Sequence, residues 1–174
     1  MSVHWYVVRS KANKEMILWR ELIAHGFESF YPHLRVRPVN PRSHKVRAYF
    51  PGYVFVQTDM EQVGPSTFQW MPFSNGCIAF DGVPAMVPDN LIQAIRRHVD
   101  QINAAGGKQL DGLQIGDAVT IEGGPFDGYH AIFDARLPGT ERVRVLLKLL
   151  QTRQMNLELP ATQIKSSRKP QPKR

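Results

Sequence analysis

The chain of 174 residues carries one cysteine, Cys77, so no internal disulfide can form and the usage fits a reducing compartment. Cys77 stands beside Ile78 in an apolar stretch, where a buried thiol is its expected role. No apolar run approaches the ~20 residues that a membrane-spanning helix needs. His4 and Arg9 interrupt the early run Trp5-Tyr6-Val7-Val8, so no signal peptide is expected. The six histidines are scattered, without an HExxH pair or a cysteine cluster to make a metal site. Neither a G-x-S-x-G elbow nor a P-loop occurs, and Asp117 and Glu122 read as solvated turn or edge carboxylates. Neither catalysis nor a cofactor is expected. A cytoplasmic, monomeric binding protein is.

What the chain has is basic charge and turns. It has a formal net charge of +7, with 13 glycines and 13 prolines. Residues 1–110 hold 12 Lys/Arg against 8 Asp/Glu, and residues 111–174 hold 10 against 7. Arg35, Arg37, Arg42, Lys45 and Arg47 follow one another with no acid between them. Such clusters favour polyanions through steering and counterion release, though they also describe a solvated surface. The tail 166–174 is basic and rich in Ser, Pro and Gln, a composition of disorder.

Apolar spacing predicts the order of elements. Trp5–Val8 reads as a strand, then Met16, Trp19, Leu22, Ile23 and Phe27 as a helix capped by Ser10 or Asn13 and ended by Gly26. Leu34–Arg37 suits a half-exposed strand, and Pro38–His44 a basic loop. In Tyr53-Val54-Phe55-Val56 the aromatics share one face and the valines the other, so both faces want cover. Thr67–Met71 suits a short helix, and Ile78–Phe80 with Met86-Val87 a hairpin around Asp81-Gly82. Leu91, Ile92, Ile95 and Val99 mark an amphipathic helix. The expected class is α+β, with an α/β sandwich over 1–100, a linker over 101–112, a small barrel over 113–165 and the tail over 166–174.

The barrel rests on Gly116–Gly128, which reads as a strand, a Gly/Pro turn and the start of a second strand. That stretch looks like the KOW motif. Together with Trp5-Tyr6-Val7-Val8, Phe30-Tyr31-Pro32, Phe50-Pro51-Gly52-Tyr53-Val54-Phe55-Val56 and Val83-Pro84-Ala85-Met86-Val87-Pro88, it resembles the NusG family of transcription elongation factors. The resemblance covers roughly residues 3–165. Ala131 in Gly128–Phe133 and the run Leu146-Leu147-Lys148-Leu149-Leu150 are similar to the specialised RfaH-like antitermination branch.

That resemblance implies a regulator that suppresses pausing and termination. It carries docking on the clamp helices of the RNA polymerase largest subunit to Tyr53, Phe55, Phe80 and Ile92. Taken as core instead, the same aromatics lie under the domain's own helices. Contact with the opposing polymerase lobe falls on Ser66 and Thr67, although Gly64 and Pro65 depart from the RfaH stretch. Contact with non-template single-stranded DNA falls on Lys11 and Lys14, with Arg20 and His25 as further candidates. Ile17, Glu21, Ala24 and Pro72 replace polar or basic residues there, and Glu21 would repel a phosphate, so a different DNA element is implied.

Residues 143–150 leave two conformations open. Val143, Val145 and Leu147 alternate as a strand, whereas Val143, Leu146, Leu147 and Leu150 form a helical stripe. RfaH uses both: an α-hairpin masks its polymerase site, and a barrel able to recruit ribosomal protein S10 forms after release. A salt bridge that helps hold the RfaH hairpin has no counterpart here, because Arg47 and Arg142 are both cations. Glu141 is the alternative partner for Arg47. The competing reading is a general RNA- or ribosome-binding KOW protein.

Overall fold

A computed structural model describes residues 2–35, 46–105 and 130–157, with side chains over 131–153 in the last segment. The Gly116–Gly128 hairpin, the 38–44 loop, most of the expected linker and the basic tail lie outside these residues. In chain order the elements are β1 (His4–Ser10), α1 (Glu15–Ala24), β2 (Glu28–Phe30), β3 (His33–Arg35), β4 (Val46–Ala48) and β5 (Tyr53–Thr58). There follow α2 (Met60–Val63), α3 (Pro65–Gln69), β6 (Ser74–Cys77), β7 (Ala79–Phe80), β8 (Val83–Pro84), β9 (Met86–Val87) and α4 (Asp89–Ala104). A 3-10 turn, His130–Phe133, precedes α5 (Gly139–Leu157).

The main sheet runs β2-β5-β1-β6, with β9 also on β1, and every pairing is antiparallel. β1 faces β5 from His4–Thr58 to Arg9–Tyr53, which sets Val7 opposite Phe55 and Val8 opposite Val54. Because side chains alternate, this register sorts the apolar residues onto two faces. Trp5, Val7, Phe30 and Phe55 lie in one buried cluster with Leu91, Ile92, Ile95 and Val99 of α4. Tyr6, Val8, Val54 and Val56 lie in the other with Leu18 and Leu22 of α1 and Phe68 of α3. The division between Tyr53/Phe55 and Val54/Val56 read in the sequence is the division observed.

Local chemistry places the smaller pieces. β3 and β4 form a ribbon tied to α4 by Asn103, whose side chain accepts from Arg35 N at 2.9 Å and donates to His33 O at 3.1 Å. β7 and β8 pair across Asp81 (φ 54°) and Gly82 (φ 78°), the positive dihedrals that a tight two-residue hairpin demands.

Several expectations are corrected. Met86-Val87 does not complete that hairpin; it pairs with Trp5 and Tyr6 of β1, and Val83-Pro84 takes its place. Lys14, with no side-chain cap bond, precedes α1, whereas Asn13 is turned to φ 60°. Leu18 replaces Ile23 in the buried stripe of α1, and Ile23 is exposed. α4 runs to Ala104, so the first residues of the expected linker are helical. Of the two conformations open to 143–150 the helical one is present, unbroken because no proline or glycine follows Gly139 up to Leu157.

One buried carboxylate joins α1 to the turn that launches β5. Glu15 accepts from Gly52 N at 2.7 Å, and Gly52 holds φ 86°. Glu15→Ala strands that amide and should lower the unfolding free energy by ~1–3 kcal/mol in urea titrations, with Glu15→Gln recovering part of the loss.

Candidate docking surface and nucleic-acid interface

The face of the sheet built around Phe55 is covered twice. Phe55 stacks on Phe30 at 5.9 Å and meets Phe50 edge-on at 6.0 Å, so it is anchored within the first 105 residues. Ile92 and Ile95 of α4 join it, and so do Ile132, Phe133, Leu146, Leu149 and Leu150 from the C-terminal segment. Phe55 and Ile92 are fully buried, while Tyr53 and Phe80 are half-buried at the margin of the same cluster. The four residues therefore converge on one patch, and α5 and its preceding turn contribute to its cover. The buried stripe of α5 is Arg142, Leu146, Leu149 and Leu150. Leu149 is absent from the stripe read in the sequence, and Val143 and Leu147 are only half-buried.

Arg142 fixes this helix. It is 2% exposed, and no carboxylate lies within ion-pair distance of it among the described residues. Its guanidinium instead donates to three backbone carbonyls: Nε to Tyr49 O at 2.8 Å, and one terminal nitrogen to Asp134 O at 3.2 Å and to Leu137 O. The same group lies over the Tyr49 ring at 4.0 Å. The planar fork suits this arrangement, since several donors act together without a counter-charge. Burial pushes the guanidinium below its ordinary range, Tyr49 and Asp134 oppose the shift, and Arg47 adds to it. Arginine nevertheless remains charged. Glu141 does not meet Arg47; it accepts from Arg144 at 2.9 Å, and Arg47 is exposed. Asp134 holds the connecting loop through Arg136, whose Nε lies at 3.2 Å.

The basic candidates gather elsewhere, around α1. Lys11, Lys14 and Arg20 are exposed, and Lys11 Nζ reaches Asn75 Oδ1 at 3.4 Å. His25 turns back on its own helix, with Nδ1 at 2.8 Å from Glu21 O, so its link with Glu21 weakens its candidacy. Ser66 is exposed, whereas the Thr67 hydroxyl is spent on Val63 O at 2.9 Å. Cys77 is half-buried, with its thiol pushed up to about 12 by burial, which makes it unreactive near neutrality. No group of acids, histidines and cysteine fit to hold a metal occurs among the described residues, nor does a helix long and apolar enough to cross a membrane.

Residues 3–96, which hold the whole main sheet and the first half of α4, match the family model described as transcription termination factor nusG. The chain belongs to the NusG family. NusG-family proteins are transcription factors, and binding to RNA polymerase is general among them. Among solved structures, one of Thermotoga maritima NusG, titled as a domain interaction, is similar at 25% identity with a TM-score of 0.42, covering 73% of this chain and 76% of that one.

One of the scattered histidines lies in the buried core. His98 of α4 is 4% exposed, set edge-on to Tyr49 at 6.2 Å and to Phe133 at 5.7 Å. The Phe133 backbone is near enough to favour the charged ring, yet neither ring nitrogen reaches hydrogen-bond geometry among the described residues. Burial lowers its pKa below 6.5, Arg142 adds to that, and Asp134 opposes it. Since the unfolded ring takes up its proton first, stability is complete above pH 6.5 and falls as pH drops from there toward the folded value. Thermal melts between neutrality and mild acid should show this loss, and His98→Phe should flatten it.

Removal of the Arg142 guanidinium leaves buried carbonyls unpaired. Arg142→Met should weaken the packing of α5 by ~2–4 kcal/mol, read as faster amide exchange over 142–150 with the β1/β5 amides still protected.

Proposed function

We propose that this NusG-family protein is an operon-specific elongation and antitermination factor of the RfaH-like branch. It docks on the clamp helices of the RNA polymerase largest subunit and suppresses pausing and termination. The observation that carries the reading is the burial of Phe55 and Ile92 in one cluster with Leu146, Leu149 and Leu150 of α5. The surface matched to polymerase docking is thereby occupied by the chain's own C-terminal segment. Such an arrangement suits a factor that must be kept from polymerase until its operon recruits it.

Release of α5 frees apolar area for the clamp helices, with Tyr53 and Phe80 at the rim. The bound factor then reaches across to the opposing lobe, where Ser66 is the better-placed hydroxyl. By binding the closed clamp more tightly than the open one, it shifts that population without touching the chemistry of polymerisation. Lys11, Lys14 and Arg20 face the exposed non-template strand, with His25 a weaker contributor. After release, residues 113–165 form the KOW barrel and can recruit ribosomal protein S10. The basic charge also suits a general RNA- or ribosome-binding KOW protein, which would need no masked apolar face.

Gly139 offers a selective way to lift the cover. A Cβ there would lie 2.6 Å from Pro51 Cδ and 2.6 Å from Pro51 Cγ, a clash between the start of α5 and the turn before β5. Gly139→Ala should loosen docking by ~1–3 kcal/mol and raise retention by intact polymerase roughly tenfold. Tyr53→Ser in that background should remove ~1–2 kcal/mol of the gain. Equal retention by polymerase with and without its clamp helices would reject this docking site. Single-round transcription through a terminator reads the function itself, and unchanged read-through on candidate operon leaders, with loading demonstrated, would sink the antitermination role.

A further inference from the structure

We propose that Trp70 is a stacking platform for an unpaired nucleobase, with Lys11 holding a neighbouring phosphate. The inference rests on the nucleic-acid interface proposed for Lys11 and Lys14, and adds an aromatic contact to it. Trp70 is 81% exposed, whereas Trp5 is buried and Trp19 is half-buried against the rings of Tyr31 and His33. An indole set out in water at the end of a helix gives up the apolar contact that its area could make. Its support is nonetheless rigid. Phe68 and Met71, on either side of it in sequence, are both buried in the core beneath α1.

The loop after Trp70 is locked to the basic turn before α1. Lys11 N donates to Phe73 O at 2.9 Å, and Asn75 Nδ2 donates to Ser10 O at 3.4 Å. Phe73 holds φ 69° and Asn13 holds φ 60°, so each side of this junction contains a left-handed residue that is not glycine. For a bulky phenylalanine that geometry is an outlier, and such strain recurs at binding sites. Gly76 closes against α3, where a Cβ would meet Gln69 Oε1 at 2.8 Å. The Phe73 carbonyl thus ties the turn after Trp70 to Lys11, and chain reach caps the separation of their backbones at roughly 15 Å.

The chemistry selects the occupant. Residues 70–76 carry no charge, and Lys11 and Lys14 beside them are exposed cations. Asp59, an acid of the preceding segment, is engaged at the start of α2 by Glu61 N at 3.1 Å and Gln62 N at 3.3 Å. One flat aromatic with adjacent lysines fits a base and its phosphate better than it fits an apolar helix, which would need a broader greasy surface. α5 packs in the cluster on the opposite face of the sheet, and among the described residues Trp70 is left exposed.

The test uses the full chain with oligothymidylate, oligouridylate and a DNA duplex as probes. Single strands should quench Trp70 fluorescence, and Trp70→Ser should weaken their binding about 5- to 100-fold while Trp70→Phe keeps most of the affinity. Lys11→Gln should lower the salt dependence by about one phosphate contact, and Trp70→Ser should leave that slope unchanged. Preference for the DNA strand points to the non-template strand as the source, and preference for the RNA strand points to a transcript. The inference is overturned if the wild type binds neither strand, if Trp70→Ser binds as the wild type, or if it weakens duplex binding equally. Loss of polymerase retention alone in Trp70→Ser would make it a protein contact and overturn stacking. If Lys11→Gln weakens binding while Trp70→Ser does not, stacking fails and the basic interface stands; if neither does, both fail.

Discussion

The guanidinium of Arg142 is the contact on which the C-terminal segment depends. A charge taken out of water at this depth costs several kcal/mol unless its donors are satisfied, and here they are satisfied by carbonyls rather than by a carboxylate. Two of those carbonyls, from Asp134 and Leu137, belong to the loop that leads into α5; the third, from Tyr49, belongs to the turn between β4 and β5. One side chain therefore shapes the entry to the helix and joins it to the body it covers. The attachment is directional, and it involves no acid among the described residues. That suits a reversible contact.

The leucines of α5 supply the rest of the adhesion. Leu146, Leu149 and Leu150 bury apolar area against a face that β5 and α4 already begin to cover, so the helix completes a core rather than founding one. On the proposed function such a face has two stable states, one closed by the chain itself and one closed by a partner offering a similar apolar ridge. Tyr53 and Phe80 are half-buried at its margin. His98, buried without a hydrogen bond between Tyr49 and Phe133, sits at the seam and makes its integrity sensitive to protons.

The surfaces proposed for polymerase and for nucleic acid fall on opposite sides of one sheet. Alternation along β1 and β5 places Phe55 on the covered face and Val54 and Val56 on the face packed by α1, where Phe68, Met71 and Phe73, the neighbours of Trp70, also pack. On the proposed function, that separation would let nucleic acid be met while the apolar face is still covered by α5.

Much of this could be read in advance. The split of β5 into an aromatic face and a valine face follows from period-two alternation, and the α4 stripe from 3.6-residue spacing, because both depend on local geometry alone. The NusG-like series in the first half was legible for the same reason. Trp70 was not: its spacing on a short helix reads equally as core, and only the packed neighbours Phe68 and Met71 show that the indole was turned outward. Arg142 shows the limit more sharply. By itself the sequence determined that 143–150 could be helix or strand and that Arg142 could not pair with Arg47. Tertiary structure decided for the helix and gave Arg142 the carbonyls of Tyr49, Asp134 and Leu137. Those acceptors are backbone atoms, which every residue possesses, so no pattern of side chains could announce them before the fold brought them together.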